Sequence, residues 1–228
     1  MSSLIEQAAQ RLEQLRQAGI APMETAPRST AIAPVGAAVT APAPAQSEPA
    51  HEPVQAAARH VELDLDALAR AGIVTPSAAR SRVADQYRVI KRPLIRNAVG
   101  KGASTMAHGN LIMVTSALAG EGKSFTSVNL AMSIAAELDH TVMLVDADVA
   151  RPSVLRMLGL PPAPGLLDVL EKSDDLSNVL LRTNIDKLTL LPAGTAHPRA
   201  TELLASDAMA QLLEEISTRY ADRIVIFD

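Results

Sequence analysis

The sequence predicts an α/β fold, a parallel sheet with helices packed on both faces. Strand-length apolar runs at Leu111 to Thr115, Thr141 to Val145, Leu188 to Leu191 and Arg223 to Phe227 alternate with helical patterns, as a parallel sheet requires. These runs are almost continuously apolar, which suits strands covered on both sides. The first run also feeds a Gly-rich turn that opens an amphipathic helix, a connection that aims backbone N–H groups and the positive helix end at one point. With 48% hydrophobic residues among 228, the chain can build a packed core. Aromatic residues are only 2%, tryptophan is absent and the net charge is −4, which argues against a nucleic-acid platform. The lack of cysteine removes disulfides and thiolate metal sites and fits a reducing cytosol.

Taken in order, residues 1–20 read as a short amphipathic helix with Leu4, Ala8, Leu12 and Leu15 at helical spacing. Ser3 and Glu6 form a capping box, and Gly19 ends the helix. A helix this short is marginal alone and needs a partner surface. Residues 21–58 form a disordered Ala/Pro linker, punctuated from Pro22 to Pro53, with a reach of roughly 35 Å or more. Residues 59–100 form a helical docking segment. Its main helix is expected from about Ser77 to Asn97, with Val83, Tyr87, Ile90 and Leu94 on one stripe and Asp85, Arg88, Lys91 and Arg92 on the flanks. Pro93 should kink or end it. Residues 101–228 hold the nucleotide-binding domain, with further helices at Lys123 to Leu138, Ser153 to Leu158, Gly165 to Leu170, Leu176 to Leu180 and Thr201 to Thr218. No apolar run approaches the roughly 20 residues that span a bilayer, and no signal-peptide layout is seen at the N-terminus.

The chemistry lies at the strand ends. The stretch from Ala117 to Ser124 fits a P-loop except that alanine stands at its first glycine position. Its nucleotide-binding set is Ala119, Gly120, Glu121, Gly122, Lys123, Ser124 and Phe125, with Lys123 reaching the terminal phosphates of ATP and Ser124 ligating Mg²⁺. Asp146 and Asp148 follow an apolar strand and so emerge at the carboxyl edge of the sheet, where ligands bind. Asp228 ends the last strand in the place of a Walker B aspartate. Ser124, Asp146 and Asp228 are the candidate Mg²⁺ ligands, since hard oxygen donors suit this ion. Either aspartate of the pair Asp146 and Asp148 could instead cap the segment that follows.

The combination Gly120-Glu-Gly-Lys-Ser124, Val145-Asp-Ala-Asp148 with Arg151-Pro152, Gly165-Leu166, Leu191-Pro-Ala-Gly194 with Glu202-Leu-Leu204, and Ile224-Val-Ile-Phe-Asp228 resembles the bacterial tyrosine kinases of exopolysaccharide and capsule synthesis. It looks closest to the tyrosine autokinases associated with exosortase (XrtA) clusters, and the resemblance covers about residues 75 to 228. It implies a P-loop NTPase-type fold, Mg-ATP as phosphoryl donor and tyrosine as acceptor. It also carries a Walker A′ motif over to Asp146 and Asp148, which with Lys123 and Arg151 make the catalytic set. Asp146 is assigned to metal binding first and base catalysis second, because a carboxylate near pKa 4 is a poor base for a phenol near 10. Arg151 is the nearest candidate for a transition-state cation, with an ion-pair role equally open. The resemblance further implies homo-oligomers through Asp85, Arg88, Lys91 and Arg92, and a membrane-embedded chain-length regulator holding a cytoplasmic protein at the inner membrane. The departures are Ala119 for proline and Ala150 for arginine.

Two rivals remain. A partitioning or positioning ATPase would carry a second signature lysine where this chain has Leu118. A catalytically inactive interaction module would rely on the N-terminal helix and linker. The family's further strands and tyrosine-rich tail do not follow Asp228, so the kinase domain over 101–228 reads as incomplete and C-terminally truncated. Tyr87 and Tyr220 are expected to pack rather than to accept phosphate.

Overall fold

The computed structural model describes residues 59–76, 81–102, 106–172 and 175–228. The helix expected over 1–20 and the linker over 21–58 lie outside the described residues. Six strands form one sheet, namely β1 (Arg59–Val61), β2 (Leu111–Met113), β3 (Thr141–Val145), β4 (Leu181–Thr183), β5 (Leu188–Leu191) and β6 (Arg223–Phe227), in the order β1-β4-β5-β3-β6-β2. Every pairing is parallel except β4 with β5. The four strands expected from sequence are all present, and β1 and β4 extend the sheet beyond β5. Both are only three residues long, too short for an alternation pattern to register. The helix expected over Leu176 to Leu180 is instead a single 3₁₀ turn at Leu176–Asn178 that leads into β4.

Alternation along the strands divides the core. Val142, Leu144, Leu188, Leu190, Ile224 and Ile226 face one side and pack with helices α1 (Leu65–Arg70), α2 (Arg82–Ala98), α3 (Lys123–Ala135) and α4 (Val154–Met157). Met143, Val145, Leu191, Val225 and Phe227 face the other, beneath α5 (Leu166–Lys172), the short α6 (Ala200–Leu204) and α7 (Asp207–Arg219). The pattern is the period-two consequence of a sheet buried on both sides. Where one helix was expected from Thr201 to Thr218 there are two, because Ser206 leaves the helix and accepts from the Met209 N–H as a new N-cap. In α3, Val128, Ala131 and Ala135 point inward as expected, whereas Leu138 lies beyond the helix end and is exposed.

The segment over 59–100 contributes Leu63, Leu68, Ile73 and Tyr87 to the same core as the sheet. Residues 77–80, where the long helix was expected to start, lie outside the described residues. Ser81 caps α2 through a bond from the Ala84 N–H, and the helix passes through Pro93 to Ala98 instead of ending there. Of its expected inward stripe, Val83, Tyr87 and Leu94 pack on the core, but Ile90 is 47% exposed while Lys91 is 4% exposed. The Lys91 ammonium donates to the Ser133 carbonyl and lies 2.6 Å from Glu137 Oε1. That hydrogen bond from Lys91 holds the Glu137 carboxyl below its usual range despite partial burial. Lys91 is thus a contact inside the chain, not an exposed residue on an oligomer face. Asp85 and Arg88 pair on the helix surface at 2.7 Å. Removing only the acid should cost more than removing the buried charge itself. Glu137→Ala is expected to lower stability by about 1–2 kcal/mol, allowing for the exposure of Glu137, and Lys91→Met by less. Urea unfolding of both variants measures this.

Candidate nucleotide-binding site

Strands β2, β3 and β6 deliver their carboxyl ends to one edge of the sheet. Backbone bonds extend the ladder just past the strands, from the Asp146 N–H to the Leu191 carbonyl and from the Asp228 N–H to the Val145 carbonyl, both at 2.9 Å. These bonds fix where the two aspartates emerge. Between β2 and α3, Gly120 and Gly122 have φ of 86° and 91°, a region that costs an L-residue strain. Gly122 is the N-cap of α3, so the unpaired N–H groups of the first helical turn face the loop. Glu121 clasps the loop, its Oε2 accepting from the Leu118 N–H at 3.0 Å.

The residues expected to act together do converge. Lys123 Nζ lies 3.6 Å from Asp148 Oδ2, with both side chains about a quarter exposed (27% and 28%). Ser124 Oγ lies 2.7 Å from Ser153 Oγ. Asp146 is 1% exposed and Asp228 is 7% exposed. Asp146 Oδ2 accepts from the N–H groups of Ser153 and Val154, each at 3.0 Å, and so anchors the start of α4. Asp148 Oδ1 accepts from the Arg151 N–H at 3.1 Å. The capping role left open for either residue is therefore filled by both, and Asp146 still has an oxygen to spare. Arg151 is exposed, and among the described residues its side chain forms no ion pair. Ala119 and Phe125 are exposed at the rim of the loop.

Burial, with the nearby charges of Asp228 and Asp148 adding to it, raises the Asp146 carboxyl to about 6 against the two backbone hydrogen bonds that lower it. Asp146 Oδ1 and Asp228 Oδ2 are both buried without a hydrogen-bond partner. Two orphaned carboxylate oxygens at one sheet edge, with a serine hydroxyl close by, form a hard-oxygen donor set that fits a divalent cation such as Mg²⁺.

Ser127 and Ser153 escaped the sequence reading. Ser127 Oγ lies 3.0 Å from Asp228 Oδ1 and 3.1 Å from the Lys123 carbonyl, so its one proton serves either. The usable signal was its spacing, one helical turn after Lys123 on the same face. Ser153 gave no such signal, because only the return of α4 to the sheet edge brings it to Ser124. Beside Asp146 opens a mostly apolar cleft of about 370 Å³, walled by Pro152, Leu155, Leu160, Ala163 and Pro192.

The chain is similar to known proteins. Residues 108–190 match the ParA family model, described as NUBPL iron-transfer P-loop NTPase. The chain is 33% identical over 156 residues to tyrosine-protein kinase YwqD of Bacillus subtilis, covering 68% of this chain and 62% of that one. It is 36% identical over 118 residues to tyrosine-protein kinase CpsD of Streptococcus pneumoniae, covering 51% of each. Relatives that it matches are named as bacterial tyrosine-protein kinases, and one is named as a succinoglycan biosynthesis transport protein. The chain spans less than two thirds of the length of these curated relatives, and 19% of the succinoglycan biosynthesis transport protein ExoP of Rhizobium meliloti, to which it is 33% identical over 67% of its own length. Among solved structures, the BceF tyrosine kinase domain is 28% identical with a TM-score of 0.54, covering 73% of this chain and 64% of that one. The chimerical protein CapA2B2 shares the fold, with 23% identity, a TM-score of 0.55 and coverage of 72% and 74%. Among the described residues no helix is long and apolar enough to cross a membrane.

Proposed function

We propose that this chain is the catalytic part of an ATP-dependent protein-tyrosine autokinase that regulates exopolysaccharide synthesis or export, of the exosortase (XrtA)-associated kind. The observation that carries the reading is the meeting of the phosphate loop with three aspartates, marked by the contact of Lys123 with Asp148 and by the orphaned oxygens of Asp146 and Asp228. The loop N–H groups and Lys123 would hold the ATP phosphates. Ser124, Asp146 and Asp228 would hold Mg²⁺, which neutralises phosphate charge when bound. The acceptor phenol forms the new O–P bond as the γ-phosphoryl group leaves ADP, and its proton passes to Asp146 or to solvent. Asp146 is a far weaker base than a phenolate near 10, so positioning leads and proton removal follows. The apolar cleft beside Asp146 is suited to an aromatic ring. Arg151, exposed at the mouth, is free to meet a phosphate or a neighbouring copy.

Self-association would involve Asp85, Arg88 and Arg92 on the outer side of α2. A membrane-embedded chain-length regulator would hold the cytoplasmic protein at the inner membrane, in line with the matched relative named as a polysaccharide transport protein. A magnesium-ATP phosphotransfer assay on this chain, and on a form extended by a tyrosine-bearing segment, tests the activity. Labelled tyrosine is expected, with Lys123→Met reducing it by about 10²-fold or more. ATP hydrolysis by the extended form without labelled tyrosine would favour the ATPase-switch reading.

A further inference from the structure

A second polar site lies at the opposite edge of the sheet from the phosphate loop. The strand register pairs His60 with Arg182, Arg182 with Thr189, Thr189 with Met143, and Met143 with Val225. All five side chains therefore project from one sheet face. Two residues earlier on β3 and β6, Thr141 pairs with Arg223 and projects from that same face. Over Met143 and Val225 the face is covered by the second core cluster. Towards the amino ends of β3 and β6 the cover stops, leaving a pocket of about 290 Å³ lined by His60, Thr141, Arg182, Lys187, Thr189 and Arg223.

The lining is cationic and held in place. Arg223 donates to Thr189 Oγ1 at 3.1 Å and its guanidinium stacks 4.9 Å from the centre of the Tyr220 ring, so its plane is fixed. Its Nε is nonetheless buried without a partner, a costly state for a charged donor. Lys187 is tied to the end of α3 by bonds from its ammonium to the Glu137 and Leu138 carbonyls, each at 2.6 Å. Among the described residues neither Arg182 nor Arg223 has an ion-pair partner. Asp186 is the one acid on the wall, and Thr141 and Thr189 add hydroxyl groups on the same sheet face, whereas the Thr183 hydroxyl is taken up by the Ile185 and Leu188 carbonyls. Two unpaired guanidinium groups with hydroxyls between them form a recognition set for a tetrahedral oxyanion on a small polar body.

We propose that the pocket between Arg182, Thr189 and Arg223 binds a small phosphate-bearing ligand, at a site separate from the nucleotide loop. The ligand is a free phosphate anion or a sugar phosphate ester, which share the oxyanion these arginines grip.

Isothermal titration of the Lys123→Met chain isolates this site from the phosphate loop, with inorganic phosphate, pyrophosphate and glucose 1-phosphate as probes. Saturable binding of at least one probe is expected. Arg182→Gln and Arg223→Gln should each weaken it by about ten-fold or more, and Arg223→Lys by less. Arg182 is exposed, so its variant folds even if Arg223→Gln disturbs β6. In the otherwise unaltered chain, Arg182→Gln should leave ATP-analogue binding unchanged. Tighter binding of glucose 1-phosphate than of either inorganic probe assigns the site to sugar phosphates, and the reverse to free anions. The proposal is overturned if no probe saturates the Lys123→Met chain, or if binding ignores Arg182→Gln and survives Arg223→Gln in a folded protein.

Discussion

Asp146→Asn is expected to lower phosphoryl transfer sharply and, at the same time, to stabilise the nucleotide-free chain at neutral pH. Asp146 is 1% exposed, one of its oxygens has no partner, and burial raises its carboxyl to about 6 from 3.8. A folded value above the unfolded one means that the stability contribution is fully present below pH 3.8 and is lost as pH rises through 6. A shift of that size corresponds to roughly 3 kcal/mol at neutral pH. Asparagine keeps an acceptor for the Ser153 and Val154 N–H groups but leaves its amide poorly satisfied, so a net gain of about 1–2 kcal/mol is expected. Transfer should fall by about 10²–10³-fold, because the charge aimed at the phosphate end is gone. Denaturant unfolding without divalent ions at pH 5 and pH 7.5 reads the first effect. A variant less stable than the parent at pH 7.5 would refute the account of Asp146 as a strained, unpaired carboxylate. Added Mg²⁺ should stabilise the parent and leave the variant unmoved.

The second large effect falls on stability through Asp168. Its Oδ2 accepts from the Gly165 N–H at 2.8 Å and the Thr195 N–H at 2.9 Å. Burial alone would raise this carboxyl, but those bonds and the Lys172 ammonium hold it below its usual range. Asp168→Ala should cost about 2–4 kcal/mol by stranding buried donors, read as a lower urea midpoint with little change in m. The sign of its pH dependence is opposite to that of Asp146. A depressed folded value gives stability that is present above 3.8 and lost as pH falls through the folded value. The parent chain should therefore gain stability as pH falls from about 6 towards 4 and lose it below. The two glycines explain the shape of this junction. A Cβ on Gly165 would strike the Pro192 carbonyl, and one on Gly194, whose φ is 93°, would strike Asp168 Oδ2. Because Pro192, Ala193 and Gly194 also line the cleft beside Asp146, loosening the junction should raise the KM for a peptide acceptor more than it lowers kcat.

Much of the site was legible because its parts are local. A glycine pair with Lys123 and Ser124 between a strand and a helix, and aspartates at the ends of apolar strands, signal their chemistry through spacing alone. Lys91 misled because a lysine on an amphipathic flank reads as solvated. Its burial depends on Ser133 of α3 and on Glu137 just beyond the end of that helix, which supply a carbonyl and a carboxylate. β1 and β4 were hidden for a related reason. Each is a three-residue segment that becomes a strand only by pairing with the other, and β4 also with β5.

The sequence by itself determined the alternation of strand and helix, the phosphate loop and the carboxylates at the strand ends, since these follow from apolar periodicity and short-range backbone chemistry. Only the tertiary structure decided the strand order, the approach of Lys123 to Asp148 and of Ser127 to Asp228, and the gathering of Arg182, Thr189 and Arg223 into one pocket. These joined residues lie between 7 and 101 positions apart. Where such residues meet is set by how the two cores bury the faces of the sheet, and no local propensity encodes that.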